Sequence, residues 1–213
     1  MRLDTAVELL GAMPFFDLAT VVQLTEEPHA NIVNQLHRWS RAGKLVPLRR
    51  GMYTFAERYR RVPVPPAVLA NALYSPSYVS GLWALAFYGL IPEGVSAYTS
   101  VTTRAPQRFD NPYGTFLYTA IKRSFFFGYR TVSIAGAAVV LATPEKALLD
   151  LFHLGRGEWD RPRMIEMRFQ QSDGVDQNRL LACAQRMGKP RILRAVQVWR
   201  ECCDGSQDEG VDL

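Results

Sequence analysis

Apolar residues recur at helical spacing and then alternate within one stretch of the chain, residues 17–55 with the two phenylalanines before it. It reads FFDLATVVQL, TEEP, HANIVNQLHRWSRAGKL and VPLRRGMYTF. The pattern predicts a helix, a tight turn, a second helix and a β-hairpin. Pro28 suits the first helical position, where a missing N–H costs nothing, and Gly43 suits the left-handed position just past the end. Between them Ile32, Val33, Leu36 and Trp39 share one helical face. Asp17 is a candidate N-cap for the helix before it. Residues 45–48 and 52–55 are the predicted strands, with Arg49, Arg50 and Gly51 at the tip.

The polar face of the second helix is unusual in composition. Asn31, Asn34, Gln35 and Arg38 follow the i, i+3, i+4, i+7 row, and neither Glu nor Lys joins them. Amide side chains can pair with adenine edges and arginine with guanine, so the row is a candidate base-reading ridge, with His29 at its start. An ordinary amide-rich polar face is the competing reading. Residues 28–61 also hold Arg41, Lys44, Arg49, Arg50, Arg58, Arg60 and Arg61 against the single acid Glu57. These seven are candidate phosphate contacts. The layout is that of a winged helix-turn-helix, expected over residues 1–62, with 3–13 as a first helix ended by Pro14.

The rest of the chain mixes both periodicities. Residues 56–66, rich in Arg and Pro, read as a stiff connector: a basic strap along DNA or a plain linker. A short helix is expected at 67–73, then a buried helix at 77–88 with Ser75 and Pro76 at its start and Gly89 at its end. Its Trp83, Phe87 and Tyr88 read as core rather than a base-stacking platform. Strands are expected at 96–103 and 114–121, a loop at 104–112, an aromatic turn at 124–129, and a hairpin about Ala135-Gly136. Short connections argue for a small antiparallel sheet. Thr143-Pro144-Glu145 opens a strong helix to about 154, and helices are expected at 162–169, 176–187 and 190–202. The class is therefore α+β, with residues 63–203 a mixed domain of sheet and packed helices. Residues 204–213 have little to bury and are expected to be a disordered tail.

Composition narrows the function. An apolar share of 48% in 213 residues fills a real core, and a net charge of +5 permits a polyanionic partner. No apolar run approaches the roughly 20 residues of a membrane helix. The N-terminus carries no signal-peptide pattern. Cys183, Cys202 and Cys203 fit no zinc spacing and read as reduced thiols of a cytoplasmic protein. The three histidines have no metal-ligand spacing, and GxSxG, GxxxxGK[ST] and GxGxxG are missing. Asp110, Glu145 and Asp150 are scattered, with Asp150 a helical turn from Lys146. The expectation is a protein that is not an enzyme and needs neither metal nor cofactor.

The strings ANALYSPSYVSGLWALAFYGLIPE, YTSVTTR, FFFGYR and ATPEKALLDLFHL, together with the N-terminal winged-helix pattern and its RRGMY, resemble the AbiEi family of antitoxins over roughly residues 15–155. Members regulate transcription in type IV toxin–antitoxin, or abortive-infection, systems. Motif positions map onto Pro76, Ser77, Tyr78, Ser80, Gly89, Leu90, Pro92, Glu93, Thr102, Thr103, Arg104, Gly128, Tyr129, Thr143, Pro144, Glu145, Lys146, Leu149 and Asp150. The resemblance implies a repressor that binds inverted repeats in double-stranded promoter DNA. It also implies a functional partner, a nucleotidyltransferase-like toxin, counteracted by the second domain without a stable complex in many systems. It carries over no active site. Arg104, Lys122, Arg123 and Arg130, basic and near predicted strand ends, are the surface candidates for antitoxicity beside an ordinary solvated surface. A monomer or weak dimer is expected. Two other readings compete: an enzyme whose second domain modifies a toxin or nucleic acid, and a ligand-sensing regulator with an effector pocket.

Overall fold

The computed structural model describes residues 1–92 and 94–208, with side chains as far as 203. Glu93 lies outside the described residues. The protein is α+β. The chain begins with α1 (Leu3–Leu10), β1 (Phe16–Asp17), α2 (Leu18–Gln23), α3 (His29–Arg41), β2 (Leu45–Arg49) and β3 (Met52–Phe55). It continues with α4 (Pro66–Leu73), β4 (Ser77–Val79), α5 (Gly81–Phe87), β5 (Ala97–Thr102), β6 (Gln107–Asn111) and β7 (Gly114–Ala120). Then come β8 (Tyr129–Ile134), β9 (Ala137–Ala142), α6 (Pro144–Leu154), α7 (Arg161–Glu166), α8 (Gln177–Met187) and α9 (Pro190–Asp208). α9 thus enters the stretch expected as a tail, and the remainder, 209–213, lies outside the described residues.

Local chemistry sets the first elements. Asp17 accepts hydrogen bonds from the Thr20 backbone N–H and hydroxyl, both at 2.8 Å, satisfying an orphan donor of α2. α3 begins one residue after Pro28, which stands at the cap position itself. It buries Ile32, Leu36 and Trp39, whereas Val33 is turned outward. Gly43, at φ +64°, takes the left-handed conformation that ends the helix. Arg50 and Gly51 form the hairpin turn, with Gly51 at φ +75°, which a Cβ would resist. β1 adds to β3, giving the antiparallel order β1-β3-β2.

The second sheet departs from the sequence expectation. It has six strands in the order β6-β7-β5-β4-β9-β8, and the β5–β7 and β4–β9 pairs are parallel. It is therefore mixed. Two of its strands stand where other structure was expected. Residues 77–79 form β4, near the centre of the sheet, instead of the first turn of a helix. Residues 107–111 form β6 at the edge instead of a loop. Tyr78 and Val79 are buried because β4 has neighbours on both sides, an environment in which a short apolar run prefers strand. α5 is correspondingly short. It buries Ala84 and Leu85 but exposes Leu82 and Phe87, so it is a surface helix with one inward face.

Two separate cores result. The smaller holds Ala6, Leu10, Phe16, Val21, Ile32, Leu36, Trp39, Leu45 and Phe55. The larger spans the six-stranded sheet and α4 to α9. The hairpin belongs to both: Leu45 and Phe55 face the small core, while Leu48 and Met52 pack into the large one. Asn111 on β6 also donates to the Leu48 carbonyl at 3.2 Å.

Inside the large core, α6 presents a polar pair. Lys146 and Asp150 are 0% exposed, and the ammonium donates to Asp150 Oδ1. Oδ2 accepts from the Tyr78 hydroxyl at 3.0 Å and from Ser80 Oγ at 2.7 Å. The ammonium also lies 5.2 Å from the Phe127 ring centroid and 5.7 Å from that of Tyr78. The network ties α6 to the central strand and explains why two charged residues sit where apolar ones would normally be.

Candidate nucleic-acid interface

The amide-and-arginine row remains on the outside. Asn31, Asn34 and Arg38 are exposed and Gln35 is half-buried. All four line one open concavity together with Glu27. The Arg38 guanidinium donates to Gln35 Oε1, so these two side chains hold each other in place along the helix. Glu27 is the residue that sequence reasoning missed. It lies in the turn before α3 and brings a carboxylate to the rim of an otherwise neutral and cationic face. That carboxylate is engaged by the Met1 backbone nitrogen. His29 is exposed at the helix start.

The basic candidates divide by what they touch. Arg41 and Arg50 are exposed, and Lys44 is half-buried beside the end of α3. Arg49 is half-buried; one of its terminal nitrogens donates to the Arg50 carbonyl at 3.1 Å. Its charge helps the Thr20 hydrogen bonds, the larger cause, to hold the Asp17 carboxyl below the usual carboxylate range. The connector candidates have different neighbours. Arg58 lies over the Tyr59 ring at 4.7 Å. Arg60 reaches across to the larger sheet, lying 5.7 Å from the Tyr113 ring centroid and donating to the Tyr113 hydroxyl. Arg61 is exposed.

Of the four candidates in the second domain, Lys122, Arg123 and Arg130 are exposed around the aromatic turn and β8. Arg104 is placed differently. Its guanidinium lies 4.2 Å from the Tyr74 ring centroid and donates to the Ser75 carbonyl at 3.0 Å. It borders an open cleft of about 310 Å³ that is also lined by Arg49 and Arg50. Residues far apart in sequence therefore meet where the hairpin tip abuts the larger core.

Among the described residues, no group of three or more His, Cys, Asp and Glu is arranged to hold a metal ion. No described helix is long and apolar enough to cross a membrane. Burial pushes the Cys183 thiol above its usual range, which keeps it in the less reactive form. A scan against protein-family models finds no match, and no curated protein is significantly similar to the chain.

Proposed function

We propose that the chain is a DNA-binding transcriptional repressor that serves as the antitoxin of a type IV toxin–antitoxin pair. The observation that supports this best is the outward row Asn31, Asn34, Gln35 and Arg38, followed in the chain by an arginine-tipped hairpin. In this reading the N-terminal module works as a winged helix-turn-helix. α3 enters the major groove, its amides pair with adenine and Arg38 with guanine, and Arg41, Lys44, Arg49 and Arg50 hold the flanking phosphates. The antitoxin role rests on the resemblance of residues 15–155 to the AbiEi family. It carries with it a cytoplasmic location, repression of the protein's own operon and a nucleotidyltransferase-like toxin as the functional partner.

The test is a gel-shift series on the promoter upstream of the gene, at two salt concentrations. Arg38→Ala is expected to cost about 1–3 kcal/mol and to relax the preference at one base pair. Arg50→Ala is expected to weaken binding to every sequence alike and to reduce the salt slope by about one. Wild-type affinity in both variants would remove the proposed recognition surface. Co-expression with the neighbouring gene tests the antitoxin half, because growth arrest unrelieved by this protein contradicts it.

A further inference from the structure

The cleft at the hairpin tip has features that contact with a DNA backbone does not require. It is lined by two arginines of the hairpin, Arg49 and Arg50, and by Arg104 of the larger domain. No carboxylate is among its lining residues. The nearest acid on the adjoining strand, Asp110, sits one position from Phe109 and so on the opposite face of β6, where Arg108 holds it through two hydrogen bonds of 2.7 and 3.0 Å. Three arginines border the cleft, and the acid that Arg49 feels, Asp17, is not among its lining residues, so the cleft is a candidate site for an anion whose oxygens match the planar guanidinium forks.

Two further observations give the ligand its shape. Arg49 Nε is buried and has no hydrogen-bond partner, although buried N–H donors are almost always paired. The Arg49 guanidinium therefore has an unused donor, which a small shift of the side chain would offer to an acceptor oxygen in the cleft. The wall beside the arginines is aromatic: Tyr74 and Phe109 line the cleft and pack at 6.1 Å between ring centroids. The Tyr74 hydroxyl is occupied by the Ala105 carbonyl at 3.1 Å, so this side chain contributes ring surface rather than a free polar group. A volume of about 310 Å³ is at the small end of small-molecule sites and matches one compact ligand.

We propose that this cleft binds a 5′-mononucleotide, its phosphate held by Arg49, Arg50 and Arg104 and its base laid against the Tyr74–Phe109 wall. Under the repressor reading, the same Arg49 and Arg50 serve DNA phosphates, so an occupied cleft competes with the operator for the hairpin tip. Uptake itself does not depend on that reading and is measured without DNA.

The experiment is isothermal titration calorimetry of the full chain at low salt with AMP and GMP, with orthophosphate, and with adenosine. Saturable one-to-one binding of a mononucleotide is expected, with orthophosphate at least tenfold weaker and adenosine undetected. Arg104→Ala and Arg50→Ala should each weaken the mononucleotide tenfold or more. Arg104→Lys should fall between Arg104→Ala and wild type, since it keeps the charge and loses the fork. Arg50 is exposed, so its variant keeps the test decisive if Arg104→Ala disturbs packing on Tyr74. The proposal is overturned by no saturable mononucleotide binding, by unchanged affinity in both alanine variants, or by orthophosphate binding as tightly as AMP and GMP. It is also overturned if Arg104→Ala weakens duplex DNA while free mononucleotides do not bind, because the cleft's phosphate is then one of the DNA backbone. A failed titration leaves the repressor reading standing, since that reading is judged on the gel shifts of Arg38→Ala and Arg50→Ala.

Discussion

Replacing Asp150 with Ala should be among the most damaging single changes in the large core. The carboxylate is fully buried and accepts from Lys146, Tyr78 and Ser80. Removing one partner of a buried ion pair typically costs about 3–5 kcal/mol, because the other charge stays buried and uncompensated. Two hydroxyls lose their acceptor as well, each worth about 1 kcal/mol. The losses belong to one network and do not add fully, so about 4 kcal/mol is the expected total. That is a large part of the roughly 5–15 kcal/mol available to a domain. Urea unfolding read by tryptophan fluorescence measures it, and Trp159 and Trp199 report on the same core. The apolar double substitution Lys146→Met with Asp150→Leu should recover most of the loss, since no orphaned charge remains. A midpoint for Asp150→Ala that implies less than about 1 kcal/mol would refute the reasoning. The Tyr78 hydroxyl enters the same account: burial first, and the Asp150 charge second, push it far above its ordinary range, which favours the neutral form that donates to Asp150.

Three other outcomes are expected. Asp17→Ala should destabilise the small core by about 1 kcal/mol through loss of the α2 cap, read by thermal unfolding; because the folded carboxyl titrates lower than usual, the cap's contribution is complete above the ordinary aspartate value of 3.8 and lost as pH falls through the folded value. His153 should titrate below the ordinary histidine value of 6.5 by NMR, since burial disfavours its charge more than the nearby Asp150 favours it; its stabilising effect is present above 6.5 and lost as pH falls toward the folded value. Residues 1–62 produced alone should be less stable than the same module in the whole chain by about 3 kcal/mol, because Leu48 and Met52 lose the large core, and poor amide dispersion in an NMR spectrum would reveal it.

What could be read from the sequence depended on how local each signal was. α3 was legible because its period, its start and its end lie within one short stretch, and the exposed ridge followed from the same periodicity. α6 was legible from Thr143, which accepts from the Lys146 N–H at 3.4 Å, and from the proline after it. The pairing of Lys146 with Asp150 followed from helical spacing, but its complete burial did not, because Tyr78 and Ser80 come from another element. β4 was read as helix because SYVSGLWALAFYG is apolar on most sides, and periodicity cannot separate a short buried strand from a helix. The parallel pairs were illegible for a related reason. β5 and β7 are parallel because β6 intervenes, and β6 was read as loop from the mostly polar string QRFDN, typical of an exposed edge. Glu27 at the rim of the ridge was invisible because a turn, not a helical row, brings it there.

The hairpin is where the two halves of the protein depend on each other. Its strands alternate, as strands must, so one set of side chains serves the small core and the other the large one. Asn111 and Tyr113, at the β6–β7 turn, add polar links to Leu48 and Arg60. A hairpin anchored on both sides cannot swing freely, and the reach of Arg49 and Arg50 is fixed relative to the larger sheet. That rigidity lowers the ordering cost of any phosphate contact they make. It also means that a ligand or a substitution acting on the edge strand β6 bears directly on the hairpin tip. The larger domain is therefore a mechanical part of the surface proposed to bind DNA.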